Sequence, residues 1–199
     1  MVLSGIVGAA QPRLAAMAIE STMLALGTLA PPFALPEPAT GRTVTLEDFA
    51  AAPALVVTFI CNHCPYVKHV ADGLAALGRD LADRGVAMVG ISSNDVTSYP
   101  QDGPEEMAKA AAAYGWTFPY LYDESQDVAR AYSAACTPDT FVFDAARKLV
   151  YRGQLDGSRP RNDEPVTAQD VRAAVDALLA GRPVDPDQWP SIGCGIKWR

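Results

Sequence analysis

The segment that most constrains the fold is Ala54-Leu55-Val56-Val57-Thr58-Phe59-Ile60. It is a continuous apolar run, rich in β-branched residues, with no alternation of polar and apolar positions. That is the pattern of a strand buried on both faces, as in a sheet covered by helices on each side. Five residues on, the period changes. Val67, Val70, Leu74, Leu77 and Leu81 recur at helical spacing from Pro65 to about Arg84, and Gly85 supplies a stop. Val86 to Ser92 reads as a second buried strand, so the chain opens with strand–helix–strand alternation.

The same reading continues to the C-terminal part. Pro104 to Tyr114 is expected to be helical, with proline in its first turn and Glu105 and Glu106 at the positive end of its dipole. Phe118 to Tyr122 is a short strand and Gln126 to Tyr132 a short helix. Phe141-Val142-Phe143 and Leu149-Val150-Tyr151 flank a polar stretch, which signals a hairpin. Thr167 opens a last helix to Leu179. Two proline-rich stretches, 30–38 and 183–190, bracket this core. The order predicts one α/β domain with a mixed sheet. Its expected limits are 23–181, with a poorly ordered tail at 1–22 and an irregular tail at 182–199 that packs on the domain.

Charge and cysteine content narrow the function. The 199 residues carry 16 basic and 23 acidic side chains, a net charge of −7. Such a surface repels phosphate backbones, so neither nucleic acid nor an anionic membrane is an expected partner. No run approaches the ~20 apolar residues of a membrane span. The apolar start at residues 1–10 is preceded by no basic residue, unlike a secretory signal, and Met17 is an alternative initiator. The cytoplasm is therefore the expected compartment. There, four cysteines point to catalysis or metal binding rather than to a disulfide framework.

Two of the four stand where the first buried strand meets its helix, in Cys61-Asn62-His63-Cys64-Pro65. Active sites of open α/β sheets favour this carboxyl end of strands. Backbone N–H groups and the helix's positive end favour thiolate over thiol there, and a protonated His63 would add to that. Residues three apart in a helical turn share a face, so the two thiols can close a short, exchangeable disulfide. The competing reading is half of a structural zinc site, completed by Cys136, Cys194, His63 or His69. Only one cysteine pair is present where such sites show two, so redox chemistry is preferred, and neither metal nor cofactor is expected.

The segment Thr58 to His69 resembles the active-site segment of thioredoxin-fold proteins. More narrowly it resembles the peroxiredoxin-like branch of the alkyl hydroperoxide reductase/thiol-specific antioxidant (redoxin) family. The resemblance extends over Leu26 to Pro36, Gly90 to Asp95, Tyr122 to Gln126, Thr137 to Asp144 and Leu149 to Gly153. It implies a thioredoxin fold: a mixed central sheet flanked by helices, with an extended N-terminal segment. It also implies a cis peptide at Thr137-Pro138 facing the dithiol, with Thr137 and Pro138 offering an edge on which an extended substrate docks.

Two chemistries follow. In disulfide exchange, Cys61 attacks a substrate disulfide and Cys64 resolves the mixed disulfide, with His63 tuning the thiolate. In peroxide reduction, Cys61 becomes a sulfenic acid. Thr58-x-x-Cys61 then matches the family's peroxide-binding pattern, and Arg152 is the candidate cation. Against the second stands the vicinal Cys64, and the family's proline seven residues before its cysteine is Ala54 here. Against a general reductant stands the lack of an acid in Ala54 to Ile60. Disulfide exchange is preferred, with a protein disulfide or a hydroperoxide as substrate and a thioredoxin- or glutathione-type thiol as electron donor. A structural zinc or partner-binding module is the non-enzymatic alternative. Cys136 and Cys194 are accessory thiols: the tail is expected to fold back so that Cys194 meets Cys136 or relays oxidation from Cys61. Lys68 has at most an indirect role, and Arg159 and Arg161 form a polar loop that could touch a substrate but is read as solvated charge.

Overall fold

A computed structural model describes residues 18–199. In chain order the strands are β1 (Ala18–Glu20), β2 (Ala34–Pro36), β3 (Thr43–Thr45), β4 (Ala54–Phe59), β5 (Ala87–Ser92), β6 (Tyr120–Tyr122), β7 (Cys136–Thr137), β8 (Asp139–Asp144), β9 (Leu149–Gly153) and β10 (Ile192–Gly195). The helices are α1 (Pro65–Asp83), α2 (Pro104–Tyr114), α3 (Asp127–Ala131) and α4 (Gln169–Leu179), with short 3-10 turns at Leu46–Phe49 and Pro100–Asp102.

The main sheet has the order β6-β5-β4-β8-β9. β4 runs parallel to β5 and antiparallel to β8, and all six of its residues are buried. An unbroken apolar strand has no face to give to water, so it takes the centre of the sheet. One face is covered by the stripe Val67, Val70, Leu74, Leu77 and Leu81 of α1 and by Val171, Ala174 and Val175 of α4. The other face carries an aromatic cluster in which Phe59, Tyr132, Phe141 and Phe143 meet edge to face, with ring centroids 5.6–5.9 Å apart. The mixed sheet between helices is the expected architecture, and Gly85, at φ +71°, ends the first helical unit as the sequence implies.

The termini differ from expectation. A second sheet has the order β1-β10-β7, antiparallel throughout. The stretch read as an irregular tail therefore contains a strand, and that strand sits between Ala18–Glu20 and the Cys136–Thr137 segment. The proposed boundaries at 22 and 182 do not mark breaks in the fold, because β1 and β10 join one sheet with β7. The physical reason is that β7 leaves backbone groups unpaired beside the buried dithiol, and pairing satisfies them. Residues 1–17, the rest of the expected N-terminal tail, lie outside the described residues.

Candidate active site

α1 begins at Pro65 with Cys64 as its N-cap, and Cys61 stands just beyond the end of β4. Both sulfurs are buried, as are Cys136 and Cys194, and all four are free thiols. The Thr137–Pro138 peptide is cis and brings Thr137 against the dithiol. Its hydroxyl lies 3.4 Å from Cys61 Sγ, and its carbonyl accepts a hydrogen bond from Cys64 Sγ at 3.1 Å.

The residue that the sequence did not reveal is Asp102. It arrives on the 3-10 turn before α2 and is fully buried. Its carboxylate accepts the backbone N–H groups of Asn62 at 2.9 Å and His63 at 3.0 Å, and the Asn94 side-chain amide at 2.8 Å. It also meets His63 Nδ1 at 2.5 Å. Asn62 Nδ2 donates to the Gln101 carbonyl at 2.9 Å, and Tyr120 donates to Asn62 Oδ1 at 3.2 Å. The whole Asn62-His63 turn is thus clamped by Asp102 and its neighbours. Tyr99 stacks on the His63 ring, with centroids 4.9 Å apart, and Lys197 stands over the far side of Tyr99. His63 Nδ1 is 3.9 Å from Cys61 Sγ.

This arrangement corrects one expectation about acidity. The backbone N–H groups of the turn serve Asp102 rather than the Cys61 sulfur. Cys61 is held well above the ordinary thiol range, first by its hydrogen bond with Cys64, then by burial, then by the Asp102 charge. Cys64, at the positive end of α1, is pulled down by hydrogen bonds from Cys194 first and Cys61 second. Cys194 is correspondingly pushed up, mainly by that bond to Cys64.

The remaining predicted residues fall in different places. Thr58 Oγ1 is paired with Thr140 Oγ1 at 3.1 Å across the β4–β8 ladder. Arg152 donates from its backbone N–H and its Nη1 to Gln188 Oε1, at 3.0 and 2.7 Å, and the charge acting on Cys61 is that of Asp102 instead. The edge of Thr137 is paired in register with Cys194. An incoming extended chain would meet that edge already occupied, which corrects the docking role expected of Thr137 and Pro138. Cys194 is the register partner of Thr137, and the Cys136 thiol turns to the Pro138 carbonyl at 3.6 Å.

A second buried acid, Asp139, lies in register with Phe59 at the foot of the dithiol. It accepts the Ala135 N–H at 3.1 Å, and burial pushes its pKa up to about 7. After burial, its charge is what most lowers the acidity of the Cys136 thiol. Cys61 Sγ, a His63 nitrogen and an Asp102 oxygen lie within 4.8 Å of one another, a set of metal-ligand type. However, the contact between His63 Nδ1 and Asp102 Oδ2 is that of a hydrogen bond, closer than two ligands stand on one ion. A shallow cleft of about 350 Å³ opens beside Asn62, His63, Lys68 and Gln101.

Comparison with known proteins agrees with the geometry. A curated protein of Mycobacterium tuberculosis, provisionally named a peroxiredoxin, is 34% identical over 144 residues, which cover 66% of this chain and 85% of that protein. The crystal structure of an uncharacterised conserved protein of Geobacillus kaustophilus superposes with a TM-score of 0.90 at 57% identity, covering 92% of this chain and 97% of that one. The fold alone is shared, at 20% identity and a TM-score of 0.58, with the thioredoxin domain of a Bacteroides vulgatus thiol-disulfide oxidoreductase, over 75% of this chain and 96% of that domain. The sequence profile of the AhpC/TSA family matches residues 26–152. With its dithiol at the carboxyl end of the central strand and a cis-proline opposite, the chain belongs to the AhpC/TSA family of thioredoxin-fold oxidoreductases.

Proposed function

We propose that the protein catalyses thiol–disulfide exchange through Cys61 and Cys64. The observation that carries this reading is that both sulfurs converge on one residue, Cys61 Sγ at 3.4 Å from the Thr137 hydroxyl and Cys64 Sγ at 3.1 Å from its carbonyl oxygen. A resolving thiol held beside the attacking one captures a mixed disulfide before anything else reaches it. Cys61 is the entry sulfur, because it adjoins His63 and Asn62 at the cleft, whereas Cys64 lies under β10.

The first step is loss of the Cys61 proton to solvent at the His63 cleft. It leaves Cys61 as the thiolate, steadied by the Thr137 hydroxyl and the His63 ring. Cys64 then holds its proton toward the Thr137 carbonyl. Cys61 attacks one sulfur of the substrate disulfide and expels the other as a thiolate. Cys64 next attacks Cys61, releasing the second substrate thiol and closing the Cys61–Cys64 bond. A thioredoxin- or glutathione-type thiol restores the dithiol. Because β10 fills the Thr137 edge, small disulfides entering at the His63 cleft are better suited than long extended chains.

Peroxide reduction is the second reading, favoured by the name of the Mycobacterium tuberculosis relative. Thr58 and Arg152 are engaged away from Cys61, and the charged neighbour of Cys61 is an anion, all of which argue against it. A single comparison separates the two. Cys64→Ser protein treated with oxidised glutathione is expected to accumulate a stable mixed disulfide at Cys61. With hydrogen peroxide, the thiol is expected to disappear no faster than an ordinary thiol. Fast peroxide consumption that survives Cys64→Ser as a sulfenic acid would replace exchange with peroxidase chemistry.

A further inference from the structure

Three sulfurs converge on Thr137. Cys61 Sγ lies 3.4 Å from its hydroxyl, and Cys64 Sγ donates to its carbonyl. Cys194 is its register partner across the β7–β10 ladder. Cys64 and Cys194 both face the Thr137 backbone, and they share one buried cluster with Cys61. The exposures of Cys61, Cys64 and Cys194 are 1%, 0% and 2%, so all three are closed to bulk solvent. Cys136, although adjacent in sequence to Thr137, stands opposite Gly195 and directs its thiol to the Pro138 carbonyl.

The seating of β10 is as close as a backbone permits. A Cβ on Gly193 would come 2.1 Å from the Thr137 carbonyl oxygen, so any side chain at that position would push the strand off. β10 is also held from its far side by β1. Beyond it, the Lys197 N–H donates to Asn94 Oδ1 at 2.8 Å, and the Gln126 side chain donates to the Lys197 carbonyl at 2.8 Å. Cys194 is therefore delivered to Cys64 by a strand anchored on both edges and at its end.

We propose that Cys194 is a third redox thiol, which takes over the disulfide of the Cys61–Cys64 pair as a Cys64–Cys194 bond. The inference rests on the exchange reading of Cys61 and Cys64. Cys194 gives up its proton and its sulfur attacks Cys64 Sγ. The Cys64–Cys194 bond forms as the Cys61–Cys64 bond breaks, and Cys61 departs with the electron pair as a thiolate and takes up one proton. No net oxidation occurs, since one disulfide is exchanged for another. Such a relay requires only that Cys194 reach Cys64, because attack on Cys64 expels Cys61. The oxidising equivalent is then stored beneath β10 while Cys61 is returned to the cleft as a free thiol. Reduction runs the same exchange backwards: Cys61 re-attacks Cys64, and the external thiol then opens the Cys61–Cys64 bond.

The test is made on the reduced full-length protein. It is oxidised with limiting oxidised glutathione, quenched in acid, denatured and alkylated, and its linked peptides are mapped by mass spectrometry. The expected product is a peptide pair joined through Cys64 and Cys194, with Cys61 alkylated. That pair is expected to be lost completely in Cys194→Ser, which retains the Cys61–Cys64 bond. Wild-type protein that forms Cys61–Cys64 while Cys194 is alkylated at every time point overturns the relay and leaves the exchange reading standing. A link from Cys194 to Cys61 or Cys136 instead of Cys64 also overturns it. Absence of both a Cys61–Cys64 disulfide and a glutathione adduct at Cys61 would instead defeat the exchange reading itself.

Discussion

A carboxyl group sealed from water and lacking a cation beside it, such as Asp139, links stability to pH. Its folded-state pKa of about 7 lies above the ordinary value of 3.8. Below about pH 4 it is protonated both folded and unfolded and makes no difference. As the pH rises from there, the unfolded chain gives up a proton that the folded protein keeps, so stability falls until the pH passes the folded value. At ~1.4 kcal/mol per pH unit the loss is on the order of 4 kcal/mol. Urea unfolding at about pH 5 and about pH 8 is expected to show roughly two-thirds of this fall, the rest being complete by the lower pH, and Asp139→Asn is expected to flatten most of it. An equal slope in the variant would place the effect elsewhere. Neither Asp139 nor Asp102 was legible as a site residue. Each is an ordinary acid in the sequence, and only the pairing of β8 with β4, or the packing of the turn before α2 on residues 62 and 63, makes it a neighbour of sulfur.

Among the elements, β4 and α1 were legible because burial imposes a period that shows in the residues themselves. The positions of Cys61 and Cys64 followed from the junction between them. β10 gave no such signal: Ile192-Gly193-Cys194-Gly195 has two glycines and no alternation, and it becomes a strand only because β7 and β1 offer edges. The sequence suggested that the tail folds back, but not onto which residue. Its glycines, unremarkable as local signals, are what allow the approach. Gly193→Ala is expected to destabilise the protein by about 1–3 kcal/mol, since its Cβ meets backbone that cannot rotate away. Faster amide exchange over residues 192–196 and faster alkylation of native Cys194 would register the lifted strand. Unchanged exchange there would mean that the ladder tolerates the methyl group.

At the scale of the whole molecule, the five-stranded sheet and the three-stranded sheet meet most directly at Pro138, the single residue between β7 and β8. The core of the larger sheet is built mainly from residues before Gly181, with Cys194 and Ile196 the tail's contributions to it. A chain ending at Ser191 is therefore expected to keep its far-ultraviolet circular dichroism while exposing the Thr137 edge. Its rate with an extended protein disulfide should rise relative to its rate with oxidised glutathione. An unchanged ratio would show that the tail does not restrict the substrate.

The position of β10 in the chain also bears on how the protein is made. Every residue that β10 pairs with leaves the ribosome before it does. At the usual ~5–20 residues per second, the nascent dithiol faces several seconds with its Thr137 edge bare and its third sulfur still untranslated. During that interval it is a simpler thiol machine than the finished protein, open to any extended chain nearby. If the tail restricts the substrate as proposed, synthesis of β10 is the step that narrows the enzyme, and a product stalled or cut before it would be a less selective one.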